Sequence, residues 1–146
     1  MSCLGTPTIE RRTMKPNSTT HLIGERVEVY WNLHKDCFSV RALSGPDKGR
    51  VVAHTRHIDL GDVTFVVQPA GRARVLAEGR KNVHAFARGT VTASRDGLPT
   101  SYTEVVYNPY ATDAFVARDD LTRRFRWAGV VRAYTDNRGR PVLAAA

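Results

Sequence analysis

What most limits the fold of this chain is a period of two. Val27, Val29, Trp31 and Leu33 alternate with Glu28, Tyr30 and Asn32. Successive side chains of a strand point to opposite faces, so such a run makes a strand with one buried face. His34-Lys35-Asp36 is a short connection, and Phe38, Val40 and Ala42 then alternate with Ser39 and Arg41 as the return arm of a hairpin. Ser44-Gly45-Pro46-Asp47-Lys48-Gly49 is dense in turn formers, and residues 50–54 predict a third strand. Asp59-Leu60-Gly61-Asp62 predicts another turn, before a fourth strand carrying Val63, Phe65 and Val67. Short strands at this spacing specify an antiparallel meander that closes into a small sheet, sandwich or barrel.

Gln68-Pro69 interrupts the meander. Proline suits the first helical position, where its missing N–H costs nothing. Ala70, Ala73, Leu76 and Ala77 share a helical face and Gly79 offers a left-handed cap, predicting one short helix near residues 70–78. Residues 83–93 then read as a strand with Gly89 marking a bulge or bend. Further strands are predicted at 102–107, at Phe115 and Val116, and along residues 125–134; residues 119–122 are too short to assign. Pro141 marks the last strand, around Val142, as an edge. The expected fold is mainly β: an antiparallel sheet or barrel-like meander with one short helix. No internal repeat is visible in the sequence. The 146 residues suffice for one core, and a chain of this size buries about two thirds of its unfolded surface. Residues 1–22, polar and without period, are expected to form a mobile arm on a single globular domain of residues 23–146.

Charge separates this chain from an ordinary β domain. Its 22 Lys and Arg face 14 Asp and Glu, for a net charge of +8, and 18 of the cations are Arg. Guanidinium presents a planar fork of donors that fits phosphate and carboxylate, and a surface of this charge draws polyanions over a screening length of about 8 Å. Two clusters stand out as candidate nucleic-acid contacts. One is Arg72, Arg74, Arg80, Lys81 and Arg88, on the helix and the strand after it. The other is Arg124, Arg126 and Arg132, which share strand parity with Tyr134, a ring able to stack on a base. Neighbouring Arg123 is expected to pair with Asp119 or Asp120. A solvated outer sheet face would have the same composition.

Other chemistry is thinly represented. His54, His57 and Asp59 have tempting spacing, but positions 54 and 57 of one strand face opposite ways and no thiolate set completes a closed metal site. Cys3 and Cys37 make no CxxC and suggest no disulfide framework, which fits a reducing cytoplasm. The sequence has no hydrolase, metalloprotease or nucleotide-binding motif. A binding protein without cofactor, metal or catalytic residue is therefore expected. No apolar run reaches the ~18 residues of a membrane span. Tyr30, Trp31, Phe38, Phe65, Phe86, Phe125 and Trp127 are assigned mostly to the core, with Tyr30 the most exposed on its strand.

Three stretches, Val29-Tyr30-Trp31-Asn32-Leu33-His34-Lys35, Arg80-Lys81-Asn82-Val83-His84-Ala85-Phe86 and Tyr107-Asn108-Pro109-Tyr110, resemble small proteins encoded by bacteriophages and prophages, over residues 26–118. None is a motif of known chemistry, so the resemblance assigns no site. It implies a phage or mobile-element origin, residence in the bacterial cytoplasm or the virion, and an accessory role on a host or phage macromolecule. The expected partner is nucleic acid or a nucleic-acid-processing complex, bound through the Arg-rich surface. The alternative is an acidic protein surface, as for a virion component or an inhibitor of a host defence system. Homo-oligomerisation is left open.

Overall fold

The computed structural model describes residues 18–95, 97 and 101–146. The first hairpin forms as its alternation requires. Strand β1 (Arg26–Asn32) pairs antiparallel with β2 (Cys37–Ala42), setting Val27, Val29 and Trp31 opposite Ala42, Val40 and Phe38 on the core face. The Asn32 side-chain oxygen accepts the backbone N–H groups of His34 and Lys35, a side-chain mimic of a turn. Strand β3 (Val51–Thr55) returns along β2, and the chain turns a corner at Arg56 into β4 (His57–Val67).

Strand β4 corrects the turn expected at residues 59–62. Those residues lie inside an eleven-residue strand, and what the sequence signals there is a bulge. Pairing with β5 (Ala85–Val91) slips between Gly61 and Thr64, and Asp62 takes a left-handed φ of 51°. The slip changes parity, so Ile58 and Leu60 before it and Val63 and Phe65 after it all reach the same core. A helix, α1 (Pro69–Glu78), connects β4 to β5 as predicted, with Pro69 in its first turn and Gly79 left-handed at its end, donating to the Val75 carbonyl.

The remaining strands are β6 (Thr103–Val106), β7 (Phe115–Ala117), β8 (Asp120–Phe125), β9 (Trp127–Thr135) and β10 (Pro141–Ala145). All ten join one open antiparallel sheet in the order β3-β2-β1-β5-β4-β9-β10-β6-β7-β8. Three expectations change here. Of residues 119–122, left unassigned, all but Asp119 contribute to β8. The long strand expected over residues 125–134 is broken by a corner at Arg126. Pro141 does not mark an edge: it is the first residue of an interior strand, opposite Thr135, where a missing N–H is tolerated.

The strand order also exposes a repeat that the sequence hides. Read outward from the centre, β4-β5-β1-β2-β3 is matched by β9-β10-β6-β7-β8. The halves meet through the antiparallel β4–β9 pair and are related by an approximate two-fold axis. Phe65 N–H donates to the Arg126 carbonyl, and Thr135 N–H, its counterpart, donates to the Arg56 carbonyl. Phe38 opposite Thr55 corresponds to Phe115 opposite Phe125. Only scattered residues repeat, among them the corner arginines and the Glu28–Arg41 and Glu104–Arg118 ion pairs. Core positions need only be apolar, so two halves can share a framework with little sequence in common.

One core serves both halves. Phe65 of β4 packs against Phe115 and Phe125 from the second half, and Val27, Val40, Leu60, Val63 and Val131 lie in the same cluster. Leu22, placed by the sequence in the arm, follows a short 3₁₀ turn (Thr20–Leu22) into that cluster; residues 1–17 of the expected arm lie outside the described residues. Trp127 departs from its core assignment and is 59% exposed. Cys37 is buried and is not a free thiol, against the expectation that the cysteines suggest no disulfide; Cys3 lies outside the described residues.

Candidate nucleic-acid interface

Alternation puts arginines on the outer face of the sheet, and register then decides what they meet. Glu28 lies opposite Arg41 on one side and Arg88 on the other. Its carboxylate accepts from both, at 3.1 and 3.0 Å, and is almost fully buried. The Arg41 guanidinium also lies over the rings of Tyr30 and Phe86. Across the molecule Asp59 lies opposite Arg132 and accepts two of its N–H groups, at 2.8 and 3.3 Å, in a pair about nine-tenths buried on both sides. Arg124 pairs with Asp113 at 2.7 Å. Each of these arginines has a carboxylate partner, with Arg41 and Arg88 sharing Glu28.

Arg72 is engaged differently. Its Nε–H is shared between the carbonyls of Pro109 and Thr112, at 3.1 and 3.0 Å, which ties α1 to the turn after β6. Beside it His84 holds the Tyr107 hydroxyl at 2.7 Å through Nε2 and the Asn82 carbonyl at 3.0 Å through Nδ1. The carbonyl requires Nδ1 to carry a hydrogen, so in the neutral ring the Tyr107 hydroxyl donates to Nε2. Burial, opposed by the nearby Arg72 charge, raises the Tyr107 phenol above its ordinary range. The second candidate ring, Tyr134, is half-buried opposite His57, and burial likewise raises its phenol.

Four of the nine predicted positions remain exposed with no ion pair among the described residues: Arg74, Arg80, Lys81 and Arg126. They come from both predicted clusters, and the corner at Arg126 lies close to the end of β4 from which α1 starts. Phe65 N–H reaches the Arg126 carbonyl at 3.0 Å, and Gln68 N–H reaches the His84 carbonyl at 2.8 Å. The start of α1, the His84 end of the loop after it, the corner at Arg126 and the turn at 108–112 therefore lie near where β4 ends and β9 begins.

Sequence reading missed the acids that neutralise the rest. Glu28 was open to inference, because it occupies the outward parity of a strand whose hairpin register fixes its cross-strand arginine; Asp59 was not, because it falls where the sequence signals a turn. Sequence reading also passed over Arg56, which becomes visible as the two-fold counterpart of Arg126. The histidines singled out for metal spacing part company at the corner: His54 bonds Ser39 at 3.2 Å, whereas His57 lies 3.3 Å from Asp59. Neither pair brings a third ligand, and no set of three metal-ligating side chains gathers among the described residues.

A family model described as Mycobacterium phage L5 gene 82 protein matches residues 20–138, from the 3₁₀ turn to the β9–β10 turn. The chain belongs to the phage L5 gene 82 protein family. The gene 82 protein of Mycobacterium phage L5 is 42% identical over 99 residues, covering 62% of this chain and 76% of that relative. No solved structure matches the chain. The match to the gene 82 family spans α1, the central β4–β9 pair and both corner arginines, so it takes in both halves of the two-fold framework. It bears out the phage origin implied by the three resembling stretches. No helix among the described residues is long and apolar enough to cross a membrane.

Proposed function

We propose that this gene 82 family protein is a non-enzymatic phage accessory factor that binds nucleic acid, or a complex carrying it, through the basic end built around α1. One observation carries the reading. Acids are matched to arginine through Glu28, Asp59, Glu104 and Asp113, whereas Arg74, Arg80, Lys81 and Arg126 stay exposed with no ion pair among the described residues, as do Arg50, Arg56 and Arg138 outside the predicted clusters. Exposed cations without a matching acid are what phosphates need, and neutralising them releases counterions. Arg72 and the His84–Tyr107 pair contribute by fixing the helix, its loop and the neighbouring turn in one arrangement, which limits the ordering cost of binding.

The test is binding to duplex DNA, single-stranded DNA and RNA over a salt series. Affinity should fall steeply with salt, and replacing Arg74, Arg80 and Lys81 together by Ala should flatten the logarithmic slope by about two to three. Absence of binding to every nucleic acid at low salt overturns the reading.

A second reading has its own support. Strand β8 lies at the sheet margin with residues 120–124 exposed, so it offers a free edge to which an acidic partner's strand could add. A virion component or an inhibitor of a host defence system would use such an edge. Pull-down from nuclease-treated host lysate separates the two: a stoichiometric protein that survives nuclease favours the edge.

A further inference from the structure

We infer that the Arg126–Trp127 corner is a stacking site for an unpaired base, so that the nucleic acid bound at this end is single-stranded. The inference rests on the reading above and narrows it. Trp127 is 59% exposed, yet it is not a loose surface ring. Its indole N–H donates to Asp62 Oδ1 at 2.8 Å, and Asp62 is itself fixed at the left-handed residue of the β4 bulge. The far edge of the indole, Cη2, lies 3.5 Å from where a Cβ would stand on Gly129, so the ring lies along its own strand over a residue with no side chain. Its single polar group is satisfied, its orientation is held, and its apolar surface is left to solvent.

The fold does not demand tryptophan here. The two-fold counterpart of the Arg126–Trp127 corner is Arg56–His57, where the smaller His57 ring is drawn to Asp59 at 3.3 Å. The same backbone corner thus forms without an exposed indole. Arg56, like Arg126, is exposed with no ion pair among the described residues, so what distinguishes the second corner is the pre-oriented indole beside the arginine. That combination, a stacking ring beside a phosphate-binding cation, is what proteins use to hold single strands, and stacking needs a base free of its complement. Duplex DNA would meet the cations but leave the indole unused.

The experiment uses the full chain carrying Trp31→Phe, so that Trp127 is the only tryptophan, titrated with oligothymidylate and with a duplex at low salt. The single strand should quench Trp127 emission and the duplex should not. Trp127→Ala should weaken single-strand affinity about ten-fold, within the roughly 1–3 kcal/mol per stacked base, and Trp127→Phe should keep most of it. Arg126→Ala should lower the salt slope by about one. Single-strand binding with Trp127 emission unchanged and full affinity in Trp127→Ala overturns the stacking site and leaves the basic end standing, as does a preference for duplex. Failure of every nucleic acid to bind at low salt overturns both, and a protein partner that shifts Trp127 emission in their place reassigns the corner to the edge-binding reading.

Discussion

Glu28 shows how much one outward-facing residue decides. It is a buried carboxylate between two arginines, and its counterpart Glu104 pairs, among the described residues, with Arg118 alone, with both of those side chains more exposed. Breaking a buried pair strands charge, whereas an exposed pair contributes about 0–1 kcal/mol. Arg41 and Arg88 are each about a third exposed and can rehydrate, so Glu28→Ala should cost about 1–3 kcal/mol. Glu104→Ala should cost under about 1 kcal/mol. Urea unfolding of both variants checks the ranking, and equal losses would show that burial at Glu28 does not matter. His54 gives a second prediction at this scale. Burial, then the charge of Lys35, holds its ring below the ordinary histidine value of 6.5. The unfolded chain therefore binds the proton more readily than the folded one. Stability is full above pH 6.5 and declines as pH falls from there to the folded value. His54→Gln should remove part of that decline, seen as a flatter dependence of the urea midpoint on pH below 6.5. Glu28 was legible from strand parity alone. The shift at His54 was not, because it depends on what covers the ring.

Among the elements, β1, β2 and α1 follow from local pattern: alternation sets the hairpin register, and Pro69 and Gly79 bound the helix. Strand β4 does not. Asp59-Leu60-Gly61-Asp62 carries the composition of a turn, but two neighbouring strands pair along it and convert the turn signal into a bulge. Tertiary pairing outweighed local preference, as it does when both edges of a strand find partners. Two glycines record how tightly these elements meet. A Cβ on Gly89 would stand 2.9 Å from Val63 Cγ2 and 3.0 Å from the Gly61 carbonyl, both beside the bulge. A Cβ on Gly71 would collide with His84 Cβ, pushing α1 away from the pair that anchors it. Overpacking of this kind costs about 1–3 kcal/mol. Gly89→Ala should lower global stability by that amount. Gly71→Ala should act locally, raising amide exchange of α1 and residues 79–84 more than that of β4 and β9. Uniform exchange across both regions would mean that α1 is not a separable element. The sequence marked Gly89 as a bend; nothing in it marked Gly71, since only the packing of α1 on His84 gives that position meaning.

At the scale of the molecule, the question raised by the two-fold framework is whether its halves are two folding units or one. Each half has five strands and a corner, and a chain built by duplication could retain two independent transitions. The packing argues for one. Phe65 belongs to the first half, yet its ring meets Phe115 and Phe125 of the second, 5.1 and 6.2 Å away between centroids. The seam is a continuous antiparallel pair from His57 opposite Tyr134 to Thr64 opposite Trp127. Separating the halves would expose that shared core and leave a full row of backbone groups unpaired. The two tryptophans report on this directly, because Trp31 lies in β1 and Trp127 in β9. In Trp31→Phe and Trp127→Phe variants, each retaining one reporter, urea transitions followed by fluorescence should superimpose with far-ultraviolet circular dichroism once corrected for any shift in overall stability. Phe65→Ala, which removes the ring shared by both halves, should cost about 3–5 kcal/mol and lower both reporters together. A transition at Trp31 that moves while that at Trp127 stays would show that the seam is only a contact between two domains.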